Sequence, residues 1–558
     1  MTDEQPISRR AAREAARGNA SQPPAQPPFQ PPFPPPSADL PTASSAVPFG
    51  APGAPDAAPT TLLVEAPPAE GAEAPAAEPA AARGGIGAML RKHPVAWTVG
   101  ASAVVFALLG TGAVFAGAAW AARDASEVVV PVDEVDVPDR SVPAGFTGAG
   151  RLRTCSVAGP ASDPRLVSLA GSVVRADTGE VLFDRAGAAP AATGTAQKVL
   201  TAAAAVARLG ADYQVTTSVY EGSVPGTIVL VGRGDATLSA LPAGQESVYP
   251  GAPKLATLAK DTVASYRAKY PDTPITTIVL DASYWNPGDR WDETWDRSLQ
   301  TRGLQSEVTA LQIDGDRADP RAAESPRSTD PIGRVGAAFI TALLDADVDG
   351  DVVDPGVATT TGTAVGTTTL AEVKSRPIRD WITQMLLTGD NTLAEMLARI
   401  VSRESDMGGG ASSLQQAIPA ALMNYELSTT GLAVRDGSGL SASNAVPPQI
   451  VADLMRKVRD GGNGLDVVRS SLSVAGKTGP LGDRFSGDNA EARGNVTGMS
   501  GTLGNASTLM GYLTATDGTP LAFSFTASGD GLKANDARAA IDTLTTAVLR
   551  CGDNLSSN

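Results

Sequence analysis

The chain has 558 residues, 43 of them proline, and a formal net charge of −16. This acidic balance leaves no basic stripe to meet phosphates and excludes nucleic acid as a partner. The single histidine, His93, excludes a Ser-His-Asp or Cys-His hydrolase and a histidine-rich zinc site, and two cysteines cannot complete a zinc ligand set. Any hydrolysis must therefore use a lysine, a carboxylate or a tyrosine as base, and we expect neither a metal nor another cofactor.

The N-terminal segment, residues 1–93, has the composition of an unfolded tail. Residues 22–36 read QPPAQPPFQPPFPPP, and the bias toward proline, alanine and glutamate continues to about Ala82. Such a stretch has too little apolar surface to bury against a core. The sequence therefore predicts a disordered tail.

A long apolar run follows the tail. Residues 94–122 contain no charged side chain over 29 positions, and about 20 are enough to cross a bilayer as a helix. Trp97 and Trp120 stand near its two ends, where aromatic side chains favour the membrane interface. Arg91 and Lys92 precede the run and place the tail in the cytoplasm. A cleaved signal peptide is the alternative, but the run is too long and more than 90 residues precede it.

These features predict a single-pass protein of the cell membrane whose main domain lies outside the cytoplasm. Residues 123–150 then form a linker. Cys155 and Cys551 stand near the two ends of the part that follows. Outside the cytoplasm the pair is expected to form a disulfide, and two separate buried thiols are the alternative.

The remainder predicts a mixed α/β fold interrupted by an insertion. Strands at 166–175 and 180–184 are expected to form a hairpin, and TAQKVLTAAAAVARL, residues 195–209, a helix that starts at a capping threonine and stops at Gly210. Together these belong to the first part of the main domain, residues 151–212.

The insertion, residues 213–367, alternates strand-like with helical runs and is interpreted as one or two subdomains. Trp285, Trp291 and Trp295 are expected to form its small core; a sugar-stacking surface is the alternative. The second part of the main domain, residues 368–558, begins with a helical region over 379–403. It closes with β-like runs and the helix ANDARAAIDTLTTAVLRC.

Six short stretches, in this order, carry a resemblance to a known family. They are ADTGEVLFDR, TAQKVLTAAAA, VLVGRGDATLSA, MLLTGDNTLAEMLAR, DGSGLSASN and GTLGNASTLMGY. Together they resemble the class C low-molecular-mass penicillin-binding proteins, the D-alanyl-D-alanine carboxypeptidase/endopeptidase family. The resemblance runs from about Arg165 to Leu549. It implies a β-lactamase/DD-peptidase-like transpeptidase domain with inserted subdomains, and peptidoglycan stem peptide as the ligand.

The family's serine acyl-transfer chemistry needs no histidine and rests on the motifs S-x-x-K, S-x-N and K-T-G. One helical turn brings the lysine of the first motif to the hydroxyl that it deprotonates. In this chain the resemblance implies Thr195, Lys198, Asn391 and Ser500 as catalytic positions. The substrate-binding positions that it implies are Gly389, Met499, Gly501 and Thr502.

Each motif departs from the family pattern. Thr195 replaces the nucleophilic serine, and its extra methyl group crowds the site. Gly389-Asp390-Asn391 stands where Ser-x-Asn is expected, so that the asparagine remains and the hydroxyl is lost.

The third motif has two candidate positions. A literal Lys477-Thr478-Gly479 is present, but its surroundings resemble a glycine-rich stretch upstream of the true motif. The favoured position precedes GTLGNASTLMGY, where the chain reads Met499-Ser500-Gly501. Ser500 keeps the hydroxyl of the motif, and Met499 replaces its lysine.

Two functional hypotheses follow. The favoured one is a member of the family that binds cell-wall peptide, or a cell-wall partner protein, with hydrolysis weak or absent. The alternative is an active carboxypeptidase with Thr195 as nucleophile and Lys198 as base. Each motif taken alone also has a purely structural interpretation. G-D-N, for example, is commonly a turn or a helix cap.

Overall fold

The computed structural model describes residues 152–366 and 368–556. The predicted tail, membrane span and linker lie outside these residues. Among the helices of the described part, none is both long enough and apolar enough to cross a bilayer.

The described residues form a mixed α/β fold. The strands are β1 (Cys155–Ser156), β2 (Ser168–Arg175), β3 (Val181–Arg185), β4 (Thr216–Glu221), β5 (Thr227–Val231), β6 (Ile275–Asp281), β7 (Val353–Thr361), β8 (Thr369–Lys374), β9 (Ser473–Val474), β10 (Val496–Leu503), β11 (Ala506–Thr514), β12 (Pro520–Ser528) and β13 (Leu555–Ser556). The helices are α1 (Ala158–Ala161), α2 (Lys198–Leu209), α3 (Leu255–Lys269), α4 (Ser298–Thr301), α5 (Pro331–Ala346), α6 (Ile378–Thr388), α7 (Asn391–Glu404), α8 (Leu414–Leu422), α9 (Pro448–Asp460), α10 (Asp466–Ser471) and α11 (Ala534–Cys551).

The main sheet is antiparallel and runs in the order β12-β11-β10-β9. The predicted hairpin is confirmed as β2 paired with β3, and β2 packs against β12. Apolar side chains are buried on both faces of the sheet. Leu509 and Phe523 face the cluster that includes α11, whereas Met499 and Met510 face the cluster that includes α2 and α9. This alternation follows from the two-residue period of a strand.

The insertion contains a second sheet in the order β7-β6-β5-β4-β8. Its strands β5, β6 and β7 are parallel, and β4 is antiparallel to both of its neighbours. Helices α3 and α5 pack against each other beside it. The fifth strand, β8, lies after residue 367 in the chain and returns to pair with β4.

The predicted helix over 195–209 begins later than expected. Residues Gly194–Gln197 form a 3-10 turn, and α2 starts at Lys198 and ends before Gly210, which has φ of +80°. Within the described residues, Thr195 makes no side-chain capping bond. The turn is tighter than a helix because Gly194 has φ of +48° and packs against the backbone of β10.

The helical region predicted over 379–403 is broken into two helices. Gly389, with φ of +75° and ψ of 24°, ends α6 in the left-handed conformation that favours glycine. Asp390 then caps α7, because its carboxylate accepts a hydrogen bond from the Leu393 amide at 3.1 Å.

The tryptophans of the insertion belong to its core, as predicted. Trp285 and Trp295 are 2% and 5% exposed, and Trp291 packs partly buried against them. Trp285 Nε1 donates to the Val308 carbonyl, and Trp295 Nε1 donates to the Asp436 carboxylate at 2.8 Å. Trp295 therefore connects the insertion to the main domain.

The disulfide is confirmed. Cys155 and Cys551 are bonded, with their Cα atoms 5.4 Å apart. Strand β1 pairs in parallel with β13, so that both ends of the described domain lie side by side.

Candidate active site

Lys198, at the start of α2, is the centre of the candidate site. Its side chain is fully buried, and its Nζ donates to Asn391 Oδ1 at 2.6 Å and to the Ser438 carbonyl at 2.9 Å. Burial lowers the pKa of Lys198 to about 8, although the carboxylates of Asp436, Glu395 and Asp390 act in the opposite direction. The positions that the resemblance assigns to the first two motifs are therefore in direct contact across 193 residues of chain.

The break between α6 and α7 places Asn391 for this contact. Its Oδ1 accepts from Lys198, and its Nδ2 donates to the Leu304 carbonyl of the insertion at 2.9 Å. Next to it, the Asp390 carboxylate forms a buried ion pair with Arg317 at 2.9 Å and accepts from the Tyr249 hydroxyl at 3.0 Å. The insertion thus fixes the positions of Asp390 and Asn391 through these contacts.

The loop at residues 436–441, within the stretch DGSGLS, holds the lysine from the other side. Its conformation is fixed by the Asp436 carboxylate, which accepts from the amides of Gly439 and Ser441. Glu395 on α7 accepts from the amide of Ser438 at 2.7 Å and thereby orients the carbonyl that binds Lys198. Burial raises the pKa of Glu395 to about 7, and the Asp436 carboxylate adds to the effect.

Sequence reasoning missed Glu395 and the carbonyl of Ser438. The spacing of Asn391 and Glu395 carried a usable signal, because residues i and i+4 of a helix share a face. The carbonyl of Ser438 gave no such signal, because every residue type has a backbone carbonyl. Its role could only be found from the fold of the loop.

Two glycines pack closely against the turn that carries Thr195. A Cβ atom on Gly501 of β10 would lie 2.4 Å from the Ala196 amide nitrogen, and one on Gly439 would lie 1.9 Å from the Gly194 carbonyl oxygen. Thr195 itself is partly buried. Among the described residues, no hydrogen bond joins its Oγ1 to Lys198 Nζ.

The strand β10 brings the favoured third-motif residues to this turn. Met499 is 1% exposed and shares the face of Gly501, which packs on the turn. Ser500 and Thr502 alternate to the opposite face, toward α11. Strand β9 pairs with β10 only at Thr497 and Gly498, so among the described residues 499–503 have no strand partner on that edge.

The literal Lys477-Thr478-Gly479 lies elsewhere. It forms the turn after β9, where Lys477 is exposed and its Nζ lies beside Gly494. Gly479 packs on Ser473 and on the Leu387 carbonyl rather than on the Thr195 turn. The strand that flanks Thr195 is therefore the one that carries Met499, Ser500, Gly501 and Thr502.

Gly389 is the second-motif position without a hydroxyl. A Cβ atom built on it would meet no atom within 4 Å, so the position borders open space. The gap belongs to a cavity of about 320 Å³ that Asn391 also lines, together with Arg317 and Arg327. No group of His, Cys, Asp and Glu side chains in the described part is arranged to hold a metal ion.

Comparisons with known proteins identify the family of the chain. The model of the D-Ala-D-Ala carboxypeptidase 3 (S13) family matches residues 154–344 and 323–548. The chain belongs to this family. It is 31% identical over 404 residues to a carboxypeptidase of Mycobacterium tuberculosis, covering 72% of this chain and 84% of that one.

Two further comparisons extend this result. Carboxypeptidase DacB of Mycolicibacterium smegmatis is 30% identical over 473 residues, covering 83% of this chain and 98% of that one. Penicillin binding protein 4 from Haemophilus influenzae has the same fold, with a TM-score of 0.54 at 17% identity, over 68% of this chain and 95% of that one.

The close approach of β10 to the turn of Thr195 leads to a prediction. Gly501→Ala should lower the free energy of unfolding by about 1–3 kcal/mol, because the new methyl group meets backbone atoms of the turn that cannot move aside. Gly462→Ala is the matched control. Neither Gly501 nor Gly462 has a positive φ, but a Cβ atom on Gly462 would have no atom within 4 Å. Urea denaturation of both variants is the measurement, and equal effects would contradict the contact.

Proposed function

We propose that this chain binds the D-alanyl-D-alanine end of peptidoglycan stem peptides and hydrolyses them weakly or not at all. The observation that carries the proposal is the bonding of Lys198, whose Nζ donates to Asn391 and to the Ser438 carbonyl. In the described structure it makes no hydrogen bond to Thr195. This bonding supports a site whose fold is kept and in which Lys198 is engaged by groups other than the hydroxyl of Thr195.

Two further losses support the same proposal. A glycine at 389 supplies no hydroxyl to pass a proton to the leaving group, and Met499 supplies no positive charge beside the site. Loss of one polar catalytic group typically lowers the rate about 10²–10³-fold. Such groups act as a unit, and the combined loss is not the product of the separate ones.

The alternative is an active carboxypeptidase that uses Thr195 as nucleophile. Its support is the lowered pKa of Lys198, about 8, which leaves a larger neutral fraction at neutral pH than an ordinary lysine has. Only a neutral amine can take the proton of the hydroxyl. The two proposals therefore predict different rates of hydrolysis for the same peptide ligand.

An assay of the purified full chain separates them. Calorimetry should detect binding of a pentapeptide that ends in D-Ala-D-Ala, while release of D-alanine should stay at least 100-fold below that of an active S13 carboxypeptidase. The control is Lys198→Met, which removes the base. Release of D-alanine at an ordinary rate, lost in Thr195→Ala, would establish the alternative.

We also propose that residues 94–122 anchor the chain in the cell membrane with residues 1–93 in the cytoplasm. The support is the uncharged run and the basic pair that precedes it. A reporter enzyme that works only outside the cytoplasm should be active when fused after residue 150 and silent when fused after residue 80. The reverse pattern would refute the anchor.

A further inference from the structure

The cavity of about 320 Å³ beside Gly389 is lined by two buried arginines. Arg317 is 4% exposed and Arg327 is 7% exposed, and both belong to the insertion. Arginine side chains are almost never so deeply buried in proteins unless they have a partner of opposite charge. The partners of these two side chains therefore show whether the cavity has charge left for a ligand.

One of the two arginines has a carboxylate partner and the other has none. Arg317 forms its ion pair with Asp390 at 2.9 Å. Within the part of the chain that the structure describes, Arg327 forms no ion pair. The three hydrogen bonds of its guanidinium go to the backbone carbonyl oxygens of Gly303 and Gly315. A guanidinium has five N–H donors, so Arg327 keeps donors for a ligand.

The charges that surround the cavity do not cancel. A single Cβ atom on Gly315 would lie 2.4 Å from Arg317 Nη1 and 3.3 Å from Arg327 Nη1, so the two guanidinium groups are neighbours. Burial, together with the adjacent charge of Arg317, lowers the pKa of Arg327. Asp390 balances one of the two charges. A second carboxylate in the lining, Glu324, is exposed and forms no ion pair with either arginine in the described structure.

The turn before Arg317 holds both guanidinium groups in place. Its residues Asp314–Asp316 have φ of 50°, 59° and 59°, a left-handed run that is costly for the two aspartates. The Asp316 carboxylate fixes the turn by pairing with Arg334 at 2.5 Å. The turn in this conformation directs the Gly315 carbonyl to Arg327. Backbone strain of this kind persists only where the surrounding structure enforces it, and it is frequent at ligand sites.

We propose that this cavity binds a small phosphate or phosphate monoester, with Arg317 and Arg327 as the donors. A buried charge without a partner is unfavourable, and an anion in the cavity offsets that cost. Guanidinium groups donate pairs of parallel hydrogen bonds to oxyanions. A phosphate offers three acceptor oxygens and can therefore be shared by two neighbouring guanidinium groups. The inference does not depend on the proposed function, because neither Thr195 nor Lys198 lines the cavity.

The test titrates inorganic phosphate into the purified full chain in a Tris-chloride buffer, by isothermal calorimetry. We expect a Kd of about 1 mM or below, and Arg327→Met should weaken binding about tenfold or more, because charge-assisted hydrogen bonds are lost. Binding should persist in about 0.3 M sodium chloride, since buried charges are screened little. Glycerol 3-phosphate identifies the source of the group: tighter binding than phosphate indicates a monoester, and equal binding indicates the free ion.

Two exposed positions in the lining provide variants that should leave the fold intact. Glu324→Gln removes a carboxylate from the cavity and should tighten phosphate binding about twofold to fivefold. Ala323→Glu adds a carboxylate there and should weaken binding by a similar factor. Opposite effects of two neighbouring changes cannot arise from a general loss of stability.

Arg484→Met is the matched control for Arg327→Met. The side chain of Arg484 is also largely buried, at 9% exposed, but it is paired with Asp542 and lies outside the cavity. This variant should keep the affinity for phosphate. Equal losses in the two arginine variants would indicate damage to the fold and overturn the inference. Absence of phosphate binding in the wild type, unchanged binding in Glu324→Gln and Ala323→Glu, or acetate bound as tightly as phosphate would overturn it as well.

Discussion

Fluorescent penicillin is expected to leave the full chain unlabelled at concentrations that label an active S13 carboxypeptidase. A β-lactam labels such enzymes when an activated hydroxyl opens the ring and the acyl-enzyme then persists. Here Thr195 carries a crowding methyl group and has no hydrogen bond to Lys198, among the described residues. Gly389 has no hydroxyl and Met499 no charge. We expect labelling at least 100-fold slower than in an active relative, measured by in-gel fluorescence.

Variants separate the contributions to this result. Thr195→Ser alone should increase labelling little, because the groups missing at positions 389 and 499 are still absent. The triple variant Thr195→Ser, Gly389→Ser, Met499→Lys should restore part of the labelling. The positive φ of Gly389 costs a serine there roughly 1–2 kcal/mol, and the Met499 position is buried, which limits the gain.

Two outcomes would contradict the assignment. Ready labelling of the wild type, lost in Thr195→Ala, would show an active nucleophile. Loss of that labelling in Lys477→Ala would place the third motif at the turn after β9, against the structure. Lys477→Ala is therefore also the control, and no change is expected.

Loss of the Cys155–Cys551 disulfide should cause the largest change in stability. The bond closes a loop of 396 residues, and in the loop-entropy model its removal costs up to about 5 kcal/mol. Reduction, or Cys155→Ser, should therefore lower the melting temperature by several degrees in differential scanning fluorimetry.

The double variant Cys155→Ser, Cys551→Ser provides the control, because its melting temperature should not respond to the reductant. The chain has only these two cysteines, so a thiol assay on denatured, non-reduced protein should find none. Two alkylatable thiols in that assay would refute the bond.

Much of the fold could be predicted because its elements carry local signals. The terminal helix was predicted at Ala534–Cys551 from its composition, and the turn at 176–179 identified the first hairpin. The helical region over 379–403 was predicted without its break, although the structural interpretation of Gly389-Asp390-Asn391 as a turn or helix cap is confirmed. The late start of α2 was missed because it depends on the contact of Gly194 with β10, a strand about 300 residues further along the chain.

The site was less predictable than the fold, for a physical reason. Lys198 and Asn391 were named from the resemblance to the family, and the structure shows them in contact. The carbonyl of Ser438 and the ion pair of Arg317 with Asp390 depend on tertiary packing alone. Neither follows from a pattern of residue types within one segment.

The pairing of β1 with β13 has a mechanical consequence. A pull on the chain at its first described residues passes through the Cys155–Cys551 bond directly into α11, and not along β2 into the main sheet. Tension would therefore reach the long C-terminal helix before it reaches β2 and β3. Without the disulfide, the same pull would be carried by the two-residue pairing of β1 with β13 and by the chain that leads into β2.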